Sequence, residues 1–171
     1  FRNNASVKNQ RVRLTLPRQG EIELTYSELS EGPLPEITPE KILKLEESKG
    51  LPAAVFSSRN TDSHSPYLFH KTPLRQLYDD ERTRAVGEGY YEVLFVNERG
   101  EVTEGSYTNI FLQKDGKLFT PPVSCGLLPG VLRTHLLVNY PEIVREASLS
   151  LEEMKSGDAV YVGNSVRGLT R

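Results

Sequence analysis

Hydrophobic and polar residues alternate along two stretches near the start of the chain. RVRLTL at 11–16 and EIELTY at 21–26 place an apolar side chain at every second position, which is typical of strands with one apolar face. Arg18-Gln19-Gly20 lies between the two stretches and supplies a turn residue. The pattern predicts a β-hairpin over residues 10–26.

A proline-rich connector and shorter apolar runs follow the hairpin. Thr38 and Pro39 are typical of a helix start and Gly50 of a helix end, so a short helix is predicted between them. The next two apolar runs are predicted to be short strands on either side of a polar segment, at residues 53–58 and 66–70.

The rest of the chain shows a more regular succession of elements. Leu74, Leu77 and Tyr78 lie at helical spacing, and the polar residues after them continue a solvated helix that ends at Gly89. Later elements are predicted as strands at residues 90–97, 107–112, 117–121 and 159–163 and as helices at residues 131–138 and 150–158. Strands outnumber helices, so the sequence predicts an α+β fold.

The composition argues against two classes of partner. Of the 171 residues, 26% are charged, and the net charge of −2 offers no basic surface for nucleic acid. No apolar run approaches the roughly 18 residues of a membrane-spanning helix. We therefore expect a small-molecule substrate, with neither nucleic acid nor membrane as partner.

The single cysteine offers little chemistry. Cys125 has no second cysteine with which to form an internal disulfide, which fits a reducing compartment and a cytoplasmic location. Catalysis would require a neighbouring base, and His64, His70 and His135 show no metal-ligand spacing with it. We expect a buried or loop cysteine and no metal site.

Residues 102–111, VTEGSYTNIF, depart from the pattern of an ordinary strand. Glu104, Ser106, Thr108 and Asn109 fall within six positions and have hydrophobic residues on both sides. A half-buried strand instead alternates apolar and polar residues. The concentration of polar groups indicates that something polar is bound there.

Three other stretches carry groups that complement Glu104. Lys71 in HKTPLRQLY directly follows an apolar run, although such a lysine is more often a solvated charge at a strand end. Gly130 in LLPGVLR opens a predicted helix, where N–H groups and the helix dipole favour a phosphate. Many such glycines only join a loop to a helix. GNSVRG at 163–168 ends a strand with amide and hydroxyl groups that could hold further phosphate oxygens.

A lysine, a carboxylate and a phosphate-binding helix start together suit pyridoxal 5′-phosphate. The lysine amine bonds to the cofactor aldehyde, and the carboxylate keeps the pyridine nitrogen protonated, so that the ring can accept electrons. In this interpretation Lys71 carries the cofactor, Glu104 lies against the ring nitrogen and the helix start at Gly130 holds the phosphate.

The order and the amino-acid sequences of these stretches resemble those of the class IV aminotransferase family, the fold type IV pyridoxal-phosphate enzymes. The resemblance covers nearly the whole chain and is strongest in NERGEVTEGSYTNIFL and PPVSCGLLPGVLR. It implies a homodimer, and catalytic roles for Lys71 and Glu104. It also implies a hydrogen-bonding shell around Glu104 and the ring from Ser106, Thr108 and Asn109. Leu128 would lie near the ring, and the other cofactor-binding residues would hold the phosphate: Gly130, Val131, Leu132, Asn164 and Ser165.

Within that family, HKTxxRxxY and NSxRG most resemble the 4-amino-4-deoxychorismate lyases, which form 4-aminobenzoate and pyruvate in folate biosynthesis. Branched-chain aminotransferases tend to have a tyrosine five positions after the lysine, where this chain has Gln76. Arg75 and Tyr78 could contact substrate or have structural roles on their helix. A lyase is therefore expected. The alternatives are an aminotransferase for branched-chain or D-amino acids and a truncated, non-catalytic relative.

The start of the chain departs from the family's pattern. Phe1 stands where a methionine would begin an open reading frame, so we expect a processed or partial chain. The resemblance implies that residues 1–65 are the latter part of a small N-terminal domain with a connector, and that residues 66–171 form the cofactor-binding domain. The family's phosphate-binding arginine has no evident counterpart near the start. This chain alone is therefore expected to bind the cofactor poorly.

Overall fold

The computed structural model describes residues 10–29, 38–43 and 53–171. Contacts divide the chain into two units between residues 36 and 37, whereas the sequence predicted a division after residue 65. The difference arises because strand β3 (Ala54–Phe56) pairs in parallel with strand β4 (Glu92–Val96). Residues 54–56 therefore belong to the second unit.

The predicted hairpin forms in the first unit. Strands β1 (Gln10–Thr15) and β2 (Glu23–Glu28) pair antiparallel, from Gln10 opposite Glu28 to Thr15 opposite Glu23. Gly20 in the connection has a φ of 109°, which residues with a side chain rarely adopt.

The second unit begins with short elements that match the predictions in part. Helix α1 (Pro39–Ile42) starts where predicted, with the Ile42 amide donating to the Thr38 carbonyl. Residues 44–50 of the predicted helix lie outside the described residues. The strand predicted at 66–70 is wrong, because residues Pro66–Phe69 form a 3-10 helix. Proline suits a first helical turn, and so short an apolar run has no decisive period.

One sheet organises the second unit. Its continuous strand order is β10-β9-β6-β5-β4-β3, and β7 pairs with both β6 and β8. The strands not yet given are β5 (Val102–Gly105), β6 (Asn109–Lys114), β7 (Lys117–Thr120), β8 (Val144–Glu146), β9 (Ala159–Asn164) and β10 (Gly168–Thr170). The sequence did not predict β8 or β10, which have three residues each.

Three helices lie at the predicted places: α2 (Gln76–Gly87), α3 (Val131–Asn139) and α4 (Leu151–Ser156). Ser150 and Glu153 form a capping box at the start of α4, which satisfies amides at that helix end. Among the described residues, no helix is long and apolar enough to cross a membrane.

The helices cover both faces of the sheet at β6. Phe111 packs in one hydrophobic cluster with Leu132 and Leu136 of α3. Its neighbour Ile110 packs in another cluster with Met154 of α4. Both β6 side chains are fully buried, as expected when successive strand residues point to opposite faces and each face is covered.

Helix α2 packs on β4 and forms a third hydrophobic cluster. Tyr78 and Ala85 of the helix meet Val93 and Phe95 of the strand. The ring centroids of Tyr78 and Phe95 are 4.5 Å apart. This contact sets the position of the first turn of α2, and therefore of the polar groups that this turn carries towards β5.

Candidate functional site

The polar stretch at 104–109 contains a turn between two strands at residues 106–108, whereas the sequence predicted a strand from residue 107. β5 ends at Gly105 and β6 begins at Asn109, and Glu104 pairs with Asn109 across the ladder. The Gly105 amide donates to the Thr108 carbonyl at 2.8 Å. A Cβ at Gly105 would lie 2.3 Å from the Thr108 hydroxyl, so glycine permits this tight turn.

Glu104 is buried, and both of its oxygens accept hydrogen bonds. The Tyr78 hydroxyl donates to Oε1 at 3.1 Å, and the Leu128 backbone amide donates to Oε2 at 3.1 Å. Burial raises the pKa of Glu104 to about 8, although these two hydrogen bonds and the charge of Arg75 act in the opposite direction. The carboxyl is therefore held in a fixed orientation and keeps a proton unless a cation lies beside it.

Tyr78 and Arg75 connect the start of α2 to this turn. Burial, followed by the charge of Glu104, raises the pKa of the Tyr78 hydroxyl, which therefore stays protonated and donates. The Arg75 guanidinium donates to the Ser106 carbonyl. These contacts favour the structural alternative for both residues, and the sequence did not reveal that Tyr78 is a partner of Glu104.

Ser106 and Thr108 bond to a different carboxylate from the one predicted. Their hydroxyls donate to the two oxygens of Glu92, at 2.5 Å and 2.9 Å. Glu92 is fully buried and also accepts from the Val93 and Ser106 amides. The predicted shell around Glu104 therefore forms around Glu92 at these two positions. The sequence signal was an acidic residue inside the apolar run YYEVLFVN.

Asn109 and Gly130 hold the loop that leads into α3. The side-chain amide of Asn109 donates to the Leu128 carbonyl at 2.9 Å. The backbone amide of Leu128 donates to Glu104. A Cβ at Gly130 would lie 2.2 Å from the Asn109 Oδ1 atom. The absence of a side chain at Gly130 thus allows the loop to approach β6, beside Glu104.

The helix start that the sequence predicted to hold a phosphate is the N-terminus of α3. Gly130 is its N-cap and makes no side-chain capping bond, and the first turn contains no acidic residue. The backbone amides of Val131 and Leu132 belong to the turn that lacks intrahelical partners, and the Val131 side chain is exposed. This end of the helix can therefore accept an anion.

Lys71 lies in the segment between the 3-10 helix and α2, and its side chain is exposed. It follows a 3-10 helix rather than the predicted strand. Contacts on both sides tie this segment to the site. Leu68 packs beside Gly126 on the loop before α3, and Arg75 bonds to Ser106.

Asn164 and Ser165 lie at the turn between β9 and β10. The Asn164 amide donates to the Tyr107 carbonyl at 3.1 Å, and its Oδ1 accepts from the Val166 and Arg167 amides. Asn164 therefore fixes this turn beside residue 107. Ser165 is exposed.

Replacing Gly130 by alanine should destabilise the site. The new Cβ would collide with Asn109, and relieving the collision would move the loop and weaken the Asn109–Leu128 bond. We expect a loss of about 1–3 kcal/mol in the free energy of unfolding, measured by urea titration. Gly87→Ala is the matched control, because its Cβ would meet nothing within 4 Å. An equal effect of the two substitutions would contradict the close approach.

Glu104 should make the stability of the cofactor-free protein depend on pH. Its pKa is about 8 in the folded protein and has the ordinary value of 4.5 when unfolded. The stabilisation is therefore complete below the unfolded pKa and is lost as pH rises through about 8. Between about pH 5 and pH 9, the free energy of unfolding should fall more steeply in the wild type than in Glu104→Gln. An identical pH dependence of the unfolding free energy in the two proteins would contradict the raised pKa of Glu104.

Comparisons with known proteins agree on one family. The amino-transferase class IV family matches residues 2–171. A solved structure from Mesorhizobium loti, provisionally assigned as an amino-acid aminotransferase, is 37% identical with a TM-score of 0.75. The match covers 94% of this chain and 70% of that one.

Two curated relatives have different activities. The branched-chain-amino-acid aminotransferase of Escherichia coli (strain K12) is 35% identical over 85 residues, which are 48% of this chain and 28% of the relative. The aminodeoxychorismate lyase of Saccharomyces cerevisiae is 32% identical over 130 residues, which are 71% of this chain and 34% of the relative. The matches thus span about a third of each relative's length.

Proposed function

This chain belongs to the class IV aminotransferase family, and we propose that it converts 4-amino-4-deoxychorismate to 4-aminobenzoate and pyruvate, as part of a pyridoxal-phosphate enzyme. Members of the family use pyridoxal 5′-phosphate, which supplies an electron sink for reactions at the carbon that carries the substrate amine. The residues described above fit that cofactor, because they offer a buried carboxyl, an anion-accepting helix start and an exposed lysine in the segment that leads into α2.

The observation that carries the proposal is the buried carboxyl of Glu104. Its two hydrogen bonds, from Tyr78 and Leu128, fix its orientation and leave lone pairs on both oxygens. Because burial raises its pKa to about 8, it has a proton to share with a ring nitrogen at neutral pH. A ring N–H cation beside it would then offset the cost of burying the charge.

The other predicted residues have roles that follow from their positions. In this proposal Lys71 would hold the cofactor through its amine, and its Nζ would take the proton from the substrate carbon. The amides of Val131 and Leu132 bind the phosphate. Asn109 and Gly130 place the helix start beside Glu104, so that one loop orients both groups.

Two observations favour a lyase. The motifs HKTxxRxxY and NSxRG resemble those of lyases, and the yeast lyase matches 71% of this chain. Formation of an aromatic product supplies much of the driving force, so a base and correct orientation are the main requirements of the site. In this proposal Lys71 is the base, and the loop at residues 128–130, which Asn109 and Glu104 hold, orients the cofactor.

An aminotransferase is the second candidate. It is supported by the branched-chain-amino-acid aminotransferase of Escherichia coli, which is 35% identical to this chain over 85 residues. The same lysine and carboxyl would serve this reaction, which transfers the amine to a 2-oxo acid rather than releasing pyruvate.

The full natural protein distinguishes the candidates when it is loaded with pyridoxal phosphate. It is given 4-amino-4-deoxychorismate and, separately, L- and D-amino acids with 2-oxo acids. We expect release of 4-aminobenzoate and pyruvate in equal amounts, with negligible amino transfer. Amino transfer without 4-aminobenzoate would select the aminotransferase. Absence of both reactions, with the cofactor bound, would select the non-catalytic alternative.

We also propose that the protein acts as a cytoplasmic homodimer. The resemblance to the family supports the dimer, and the unpaired Cys125, which is buried, suits a reducing compartment. Light scattering of the full protein tests the dimer, and a monomer that keeps full activity would reject it.

A further inference from the structure

The arginine of the NSxRG motif has no role in the site described so far. Arg167 is exposed at the turn between β9 and β10. Within the described part of the chain, its guanidinium forms no hydrogen bond or ion pair. It does lie over the Tyr107 ring, with its Cζ 4.8 Å from the ring centroid.

A second arginine lies over the same ring. The Arg82 Cζ is 4.2 Å from the Tyr107 centroid. Together these distances limit the separation of the two guanidinium carbons to about 9 Å, where like charges still repel. Tyr107 thus supports two cations on one aromatic side chain.

Glu92 neutralises this group of cations only in part. Its salt bridge to Arg82 is 3.4 Å long, because its oxygens already accept shorter bonds from Ser106 and Thr108. Arg75 adds a third guanidinium at the Ser106 carbonyl. Among the described residues, Arg75 and Arg167 form no salt bridge, and Arg82 forms one, to Glu92. Positive charge therefore remains in excess.

The excess charge lies beside the proposed reaction site. Ser106 and Tyr107 follow Glu104 by two and three positions, and the Arg82 Nη1 atom is 3.5 Å from the Ser106 hydroxyl. Asn164 bonds both to the Tyr107 carbonyl and to the Arg167 amide, which fixes the turn of Arg167 against the turn that follows Glu104.

We propose that Arg167 and Arg82, supported by Tyr107, bind a substrate carboxylate remote from the carbon that carries the amine. A guanidinium offers two parallel N–H groups to a carboxylate, and the partly exposed Arg82 leaves part of its fork unused. The inference rests on the proposed function and specifies its substrate class. The substrate carries an acidic group beyond the reacting centre, as 4-aminobenzoate precursors and glutamate do and branched-chain amino acids do not.

Binding to the full protein in its cofactor-loaded form tests this directly. Two pairs of probes are titrated by calorimetry: 4-aminobenzoate against aniline, and 2-oxoglutarate against 2-oxobutyrate. In each pair only the first member carries the remote carboxylate. We expect the wild type to prefer the carboxylate member in at least one pair by about 10- to 100-fold, since a charge-assisted bond is lost in the other.

Variants assign that preference to the arginines. Arg167→Gln and Arg82→Gln should each abolish most of it, and Arg167→Lys should keep part of it, because lysine keeps the charge without the planar fork. Arg145→Gln is the control. Arg145 is exposed on β8 and should leave the preference unchanged. Cofactor occupancy and thermal unfolding, measured in parallel, identify any variant that has lost its fold.

The outcomes separate this inference from the proposed reaction. No carboxylate preference in the wild type, or full preference retained in folded Arg167→Gln, would overturn the arginine site. A different result is that the full protein fails to release 4-aminobenzoate while the carboxylate preference remains and depends on Arg167. That result would reject the lyase and would still support the carboxylate site.

Discussion

Lys71→Ala is expected to lose covalent cofactor attachment and essentially all activity. In the wild-type protein with its complete N-terminus, borohydride reduction should fix the cofactor to the peptide that contains Lys71. Without that amine, the site has neither the nucleophile for the cofactor aldehyde nor the base for the substrate carbon. Mass mapping of the reduced, digested protein identifies the modified lysine.

Lys155→Ala provides the comparison for this experiment. Lys155 is an exposed lysine of α4, and its replacement should leave attachment and turnover unchanged. If the adduct maps to another lysine, and Lys71→Ala still forms it, Lys71 does not hold the cofactor. The contacts of Leu68 and Arg75 on either side of the Lys71 segment would then be structural only.

Glu104→Gln should reduce kcat by roughly 100-fold or more, equivalent to about 3 kcal/mol of transition-state stabilisation. Glutamine keeps the size of the side chain and can still bond to the Leu128 amide and the Tyr78 hydroxyl, but it has no proton to share and no charge to oppose a ring cation. In the cofactor-free protein, glutamine should raise rather than lower the stability at neutral pH, because the wild-type carboxyl must take up a proton on folding and glutamine need not.

Steady-state rates and urea unfolding, measured on the same preparations, separate the catalytic and structural effects of Glu104. Glu142→Gln is the control, since Glu142 is exposed after α3, and we expect wild-type rates from it. A Glu104→Gln variant with unaltered turnover would show that the polar stretch at residues 104–109 has only a structural role. A variant that unfolds readily at pH 7 would contradict the uncharged state of the buried carboxyl.

Glu92 lies outside the family motifs but supports the turn that follows Glu104. Its oxygens hold the Ser106 and Thr108 hydroxyls, and those residues lie in the turn that ends β5. A buried carboxylate costs stability unless hydrogen bonds satisfy it, and here hydroxyls, amides and Arg82 provide them. Glu92 therefore holds the turn through the two hydroxyls that the sequence assigned to Glu104.

The sequence by itself determined the fold class, the family and most of the elements. The hairpin, α2, α3, α4 and the central strands follow from local periodicity and caps, which are properties of consecutive residues. The polar stretch around Glu104 and the glycine before α3 were visible as departures from that periodicity. Short elements such as β8, β10 and the 3-10 helix contain too few residues for a period to be recognised.

Only the tertiary structure decided which polar groups meet. The bonds from Tyr78 and Leu128 to Glu104 join residues 26 and 24 positions apart, and the Ser106–Glu92 bond spans 14. Such pairs depend on the packing of α2 on β4 and on the turn at residues 106–108, where the sequence predicted the start of a strand. Carboxylates of equal chemistry compete for the same hydroxyls, and their relative positions in the fold, rather than their neighbours in the chain, determine which one receives the hydrogen bonds.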